Sequence, residues 1–162
     1  MAQKQDETVA WQKNHDHTEC VANAILLAQQ VCMKKGVRLT PLRRRVLELI
    51  WRSHKPSGAY ALLDAIKLEH KSAAPPTVYR ALDFLKEHGL VHRIESLNAY
   101  VGCNYPGHAH HSVILVCDGC GGASEIEDEL VTESIRTFAT GLGFELSSQS
   151  VEAAGLCPGC QP

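Results

Sequence analysis

From His108 to Cys120 the chain reads HAHHSVILVCDGC, three histidines and two cysteines set around a strand-like run, and a second cysteine pair follows at Cys157-Pro-Gly-Cys160. Thiolates and imidazoles at such density are metal ligands before they are anything else. In each CxxC the two sulfurs are spaced so that a tight turn can grip one ion; glycine permits the turn, and backbone N–H groups offset the thiolate charge. Cys117, Cys120, Cys157 and Cys160 together make a closed tetrahedral sulfur set, which favours zinc. The 36 residues between the pairs exceed the usual zinc-ribbon gap. A strand, a helix and a strand must therefore intervene, and the metal pins the C-terminal segment to a sheet. Two separate redox motifs are a poorer reading, because neither pair begins a helix after a strand. A closed site offers no open position for catalysis, so no enzyme is expected.

With those four thiolates committed, His92, Cys103, His108, His110 and His111 remain. The plain reading is that a hairpin cysteine is buried and linker histidines are solvated. The sharper one is a second zinc site, in which one thiolate and one carboxylate neutralise the ion and two imidazoles complete a tetrahedron. Glu125, on the strand after the first knuckle, can supply the carboxylate. Cys20 and Cys32 read as packing residues, and His15 and His17 as part of a polar tail.

These ligands need elements to hold them. A chain of 162 residues, 44% hydrophobic and 21% charged, is that of a soluble globular protein of one domain or two small ones. No apolar run approaches the roughly 18 residues of a membrane span, and the polar start lacks a signal-peptide core, so a cytoplasmic location is expected. Seven cysteines there mean metal or thiol chemistry rather than disulfides. The net charge of -2 hides an asymmetry: residues 35–93 carry twelve basic against five acidic side chains, and residues 94–162 one against nine. A basic middle of this kind suits a polyanion, with nucleic acid the leading candidate.

Helical periodicity runs from Glu19 to Gly36, a second helix opens at the cap Thr40-Pro41 and continues to about Ser53, and a third spans roughly Ser57 to Lys71. SAAPPTVYRALDFLKEHG gives the clearest helix, starting at Pro76 and stopping at Gly89. Val78, Ala81, Leu82 and Leu85 fall on its inner side, and Tyr79, Arg80, Asp83, Lys86 and Glu87 on its outer side. LVHRIE and AYVGC read as a hairpin. After Asn104 come strands at SVILV and GASEIE, an amphipathic helix from Leu130 to Leu142 with Val131, Ile135, Phe138 and Leu142 inward, and a strand in FELSSQSVE. The expected fold class is α+β: a flexible tail (1–18), a winged helix-turn-helix (19–103), a linker (104–110), and a small β-β-α-β dimerisation and metal-binding domain (111–162). The last is small enough to need a staple.

RLTPLRRRVL, PPTVYRALDFLKEHGLVHRIES and the CDGC and CPGC knuckles resemble the ferric uptake regulator family, and YRALDFLKEHGLVHRIESLNAYVGC is most similar to its zinc uptake regulator branch. The likeness covers nearly everything from about residue 20 onward. It implies a homodimeric, zinc-responsive transcriptional repressor that binds operator DNA and controls zinc uptake genes. Each chain would hold two zinc ions, one structural and one regulatory. Carried over by position, the regulatory ligands fall on His92, Cys103, His110 and Glu125, one ion joining the two domains, with His108 and His111 as neighbours. The resemblance places a DNA contact at Tyr60. Leu42 stands where the family usually has Gln.

On the DNA side, Thr77, Tyr79, Arg80 and Asp83 occupy the first half of the fourth helix, the part that reaches base edges in a major groove. Arg38, Arg43 and Arg44 suit phosphates or a minor groove, with at least one residue of the Arg43 to Arg45 run simply solvated. An iron- or peroxide-sensing regulator of the same fold is the alternative; Cys103 argues against it, because iron sensors use nitrogen and oxygen ligands. A zinc deaminase would need H-x-E followed by P-C-x-x-C, and that combination is absent: His92 is followed by Arg-Ile-Glu, and neither CxxC has proline before it. A purely structural zinc module would leave the basic middle unexplained.

Overall fold

The computed structural model of the chain describes residues 16–108, 110, 112–147 and 149–162. They fall into two compact units, one ending at His108 and the other comprising the described residues from His110 to Pro162. Most of the expected tail, with His15, and also His111 and Ser148, lie outside the described residues.

The first unit holds helices α1 (His17–Lys34), α2 (Pro41–Trp51), α3 (Ala59–Lys67) and α4 (Pro75–Glu87), with strands β1 (Ser57–Gly58), β2 (Val91–Ile94) and β3 (Ala99–Gly102). Local chemistry fixes the helix starts. Asp16 accepts from the Thr18 N–H at 2.8 Å to open α1; the Thr40 hydroxyl accepts from the Arg43 N–H, and Pro41 supplies the first helical position of α2. At the far end of α4, Gly89 takes a φ of 67° and lets the chain turn into β2. Val46, Leu47, Ile50, Ile66, Val78, Leu82 and Leu85 close one core across α2, α3 and α4, joined by Leu90, Val91 and Tyr100 of the hairpin.

The expected third helix from Ser57 is corrected. Ser57 and Gly58 form a two-residue strand antiparallel to β3, opposite Tyr100 and Ala99, and the helix begins at Ala59. The sheet order is β1-β3-β2. Gly102 is required where it stands: a Cβ there would lie 2.1 Å from the Trp51 indole, which covers that end of β3. The hairpin turns through Asn98 at φ 47°, whose side-chain oxygen accepts from Arg93 at 3.0 Å.

The second unit holds β4 (Ser112–Cys117), β5 (Ala123–Glu127), α5 (Glu129–Gly141) and β6 (Val151–Gly155), with sheet order β5-β4-β6. β5 is antiparallel to β4 and β6 is parallel to it. A parallel neighbour demands a crossover connection, and α5 lies in that connection. β6 begins later than expected: Phe144 to Leu146 are outside any strand, and pairing starts at Val151 opposite Val113.

The inward face expected for α5 is also corrected. Val131, Ile135, Phe138 and Leu142 are exposed, Phe138 by 75%, and Thr132 is the buried residue of this helix. The amphipathic pattern is real, but among the described residues the apolar side of α5 is exposed.

Candidate metal centres

Cys117 ends β4, and its partner Gly155 ends β6, so the sheet register brings both knuckles to one end. The Asp118 N–H donates to the Gly155 carbonyl at 2.8 Å, and the Cys157 N–H donates to the Cys117 sulfur at 3.2 Å. The sulfurs of Cys117, Cys120, Cys157 and Cys160 all lie within 4.8 Å of one another, and those of Cys120 and Cys157 are 3.9 Å apart. Each knuckle closes on itself, Gly121 N–H to Cys117 carbonyl and Cys160 N–H to Cys157 carbonyl, both at 2.9 Å. A Cβ at Gly119 would stand 2.8 Å from that of Cys160, so only glycine lets the knuckles approach.

Four thiols held this close cannot all ionise without a cation. Backbone N–H groups of Cys157 and Cys120 draw the Cys117 thiol down to about 6, and the Cys160 thiol, hydrogen-bonded to Cys157 and then desolvated, is pushed up to about 12. That is the donor chemistry of a closed zinc site, in which a bound cation would offset the charge of four thiolates.

Two smaller ligand pairs lie one in each unit. In the first, Cys103 follows β3 and its N–H donates to the Leu90 carbonyl at 3.1 Å, so the hairpin ladder runs on past the strand ends. Leu90, just before β2, lies on the same face as His92, which puts His92 and Cys103 on one side, their ligand atoms within 4.8 Å. Cys103 is buried and His92 half-buried. In the second unit, His110 Nε2 lies 2.8 Å from Glu125 Oε1, and the Ser112 hydroxyl donates to the same carboxylate oxygen. Glu125 stands opposite Ile114, so Ser112 is its diagonal neighbour on one face, and its side chain is 2% exposed. His108 closes the first unit and is exposed.

A cluster that the sequence reading passed over lies within the first unit. His17, Cys20 and His54 bring one nitrogen, one sulfur and one nitrogen within 4.8 Å of one another. The only signal in the sequence is the three-residue spacing of His17 and Cys20 on one helix face. Cys20, expected to pack in the core, is half-buried and outside it, whereas Cys32 is buried in it.

The outer side of α4 is as expected: Thr77, Tyr79, Arg80 and Asp83 are exposed, and Val78, Ala81, Leu82 and Leu85 are buried. Tyr60, Arg38 and Arg44 are exposed as well. The arginine run divides by partner. Arg43 stacks on the Phe84 ring at 3.6 Å and donates to the Arg38 carbonyl at 2.6 Å. Arg44 and Arg45 both reach Glu48, at 2.9 and 3.1 Å, and Arg45 also grips Glu69. Burial works against the Glu48 charge, but the two guanidinium groups outweigh it and hold the carboxyl below its usual range.

Comparison with known proteins fits this geometry. Residues 34–154 match the model of the ferric uptake regulator family. The zinc uptake regulation protein of Escherichia coli is 43% identical over 134 residues, covering 82% of this chain and 78% of that one. Among solved structures, holo XcZur has 43% identity and a TM-score of 0.78, covering 85% of this chain and 96% of that one. A zinc uptake regulator in complex with zinc and DNA has 40% identity and a TM-score of 0.80, covering 91% and 96%. With a winged helix, a sheet stapled by two cysteine knuckles and a family match over most of its length, the chain belongs to the ferric uptake regulator family.

Proposed function

We propose that this protein is a zinc-responsive transcriptional repressor that binds operator DNA as a homodimer, and that His92, Cys103, His110 and Glu125 jointly hold the zinc that favours the operator-binding arrangement. One observation carries the reading. Each unit assembles half of a mixed ligand set, an imidazole with a thiolate on the first and an imidazole with a carboxylate on the second. Neither half is a zinc site alone; together they supply four donors and two negative charges for a divalent cation. The 43% identity to zinc uptake regulators supports zinc as the cation and zinc uptake genes as the target.

Ligands that belong to separate units bind an ion best in the arrangement that brings both pairs together, so metal shifts the population toward it. Moving a protein from 1:99 to 99:1 takes about 5.5 kcal/mol of differential binding. The four-cysteine set has a different task. It ties the segment after β6 to the end of β4 and holds the small sheet folded whether or not the regulatory ligands are filled. Two zinc ions per chain follow, one structural and one regulatory.

The DNA-reading surface is the outer row of α4. Thr77, Tyr79, Arg80 and Asp83 project from a helix whose opposite side is locked into the core, so they meet base edges without costing stability. Arg38, Arg44 and Tyr60 reach phosphates. Arg43, held by Phe84 and the Arg38 carbonyl, positions the segment before α2 against α4 in addition to any contact of its own. A second copy of the chain covers the apolar side of α5.

Iron or peroxide sensing is the weaker reading, since iron-sensing sites are built from nitrogen and oxygen donors and Cys103 supplies a thiolate. The test is a titration of protein that retains only the four-cysteine zinc, followed by binding to a palindromic operator. Operator affinity should rise with the next equivalent of zinc and stay low with ferrous ion. A rise with ferrous ion alone would reverse the assignment.

A further inference from the structure

α1 opens with His17 and Cys20 three positions apart, one above the other on the same helix face. His54 enters from the segment between α2 and β1. The two rings have centroids 5.0 Å apart and are tilted by 53° rather than stacked, and a nitrogen of each lies within 4.8 Å of the Cys20 sulfur. All three residues are half-buried. We propose that His17, Cys20 and His54 form a further divalent-metal site, taking zinc or a similar borderline cation through two imidazoles and one thiolate, with a fourth position left to water or an outside ligand.

The spacing is close to what an ion needs. Bonds of about 2.0 Å to nitrogen and 2.3 Å to sulfur put the two nitrogens and the sulfur of a tetrahedral site roughly 3.3–3.5 Å apart, within reach of small side-chain rotations. Asp16 and Glu19 flank the cluster. Their negative charges favour a bound cation. The three ligands lie entirely within the winged-helix unit, so the site fills independently of the regulatory one. It would fasten the first turn of α1 to the segment leading into β1 and α3. With three protein ligands it is open and exchangeable, unlike the closed four-cysteine set.

Cobalt(II) is the probe, because a single thiolate ligand gives a sulfur-to-metal charge-transfer band and tetrahedral geometry gives strong visible absorption. The full chain carrying Cys103→Ser, with its four-cysteine zinc in place, removes the other single-thiolate candidate. It should take up one tetrahedral cobalt per chain with that band and release no zinc. Adding Cys20→Ser should abolish the band, and His17→Gln or His54→Gln should weaken cobalt binding by roughly tenfold or more, since even outer-shell changes cost about 10–100-fold. Circular dichroism checks that each variant is folded; if Cys20→Ser is not, the two histidine variants decide. No charge-transfer band in the Cys103→Ser chain, its persistence with Cys20→Ser, or unchanged cobalt affinity in both histidine variants would overturn the site.

Discussion

His110 Nε2 lies 2.8 Å from Glu125 Oε1, and that carboxylate oxygen also accepts from Ser112 one strand away. The acid is buried and stands opposite Ile114 in the sheet register. A buried carboxylate needs such partners; the pairing of β4 with β5 supplies Ser112, and the residues just before β4 supply His110. Ser112 therefore acts through Glu125, fixing the carboxylate that the regulatory zinc would meet. Ser112→Ala should lower zinc affinity at that site by about 10–100-fold, the usual loss for an outer-shell partner of a metal ligand. The four-cysteine zinc should be unaffected, and competition with a zinc chelator measures both.

Arg80→Ala should cost about 1–3 kcal/mol of operator affinity per half-site. Zinc content and dimerisation should stay as they are, because Arg80 is exposed and the opposite side of α4 carries the packing. Titration at fixed salt checks this; unchanged affinity would mean that another surface enters the groove.

Gly102→Ala should destabilise the winged-helix unit by about 1–3 kcal/mol or more, the usual cost of overpacking. The new methyl would collide with the Trp51 indole, and an indole against β3 has little room to yield. Thermal unfolding should show a lower midpoint with the four-cysteine zinc retained. A midpoint equal to that of the parent would show that Trp51 moves freely.

Phe138→Glu should separate the dimer without unfolding the chain. Phe138 is 75% exposed on a helix whose apolar side is exposed among the described residues, so a charge there meets water in the monomer and a desolvated face in the dimer. Sedimentation at several protein concentrations reads the change, and a dimer as tight as the parent's would place the interface elsewhere.

The sequence carried the parts whose signals are local. Thr40-Pro41 announced α2 because the cap and the fixed φ of proline act within one turn, and the inner row of α4 was visible as period 3.6. Both knuckles were legible because two sulfurs at CxxC spacing have few other uses. What failed depended on partners distant in the chain. β1 is two residues long, too short for any period, and exists only because β3 offers Tyr100 and Ala99 to pair with. The apolar row of α5 is legible as a row but not in its direction, because periodicity reports a face and not what covers it. His54 joins His17 and Cys20 only through the docking of α2 on α1, which no local pattern encodes.

Cys103→Ser set beside Cys120→Ser tests the division of labour between the two zinc sites most directly. Removing Cys120 opens the sulfur cage in which its thiol stands 3.9 Å from that of Cys157, and the binding energy that holds this small domain is lost. That variant should aggregate or dissociate. Cys103→Ser leaves the cage intact and exchanges the one regulatory thiolate for a weak hydroxyl ligand. It should remain a folded dimer that keeps its four-cysteine zinc yet gains no operator affinity when zinc is added. The decisive measurement is operator affinity of the Cys103→Ser protein with and without zinc. Equal, low affinity in both conditions is the predicted result; full zinc-dependent binding would contradict the thiolate switch and move the regulatory site to other ligands.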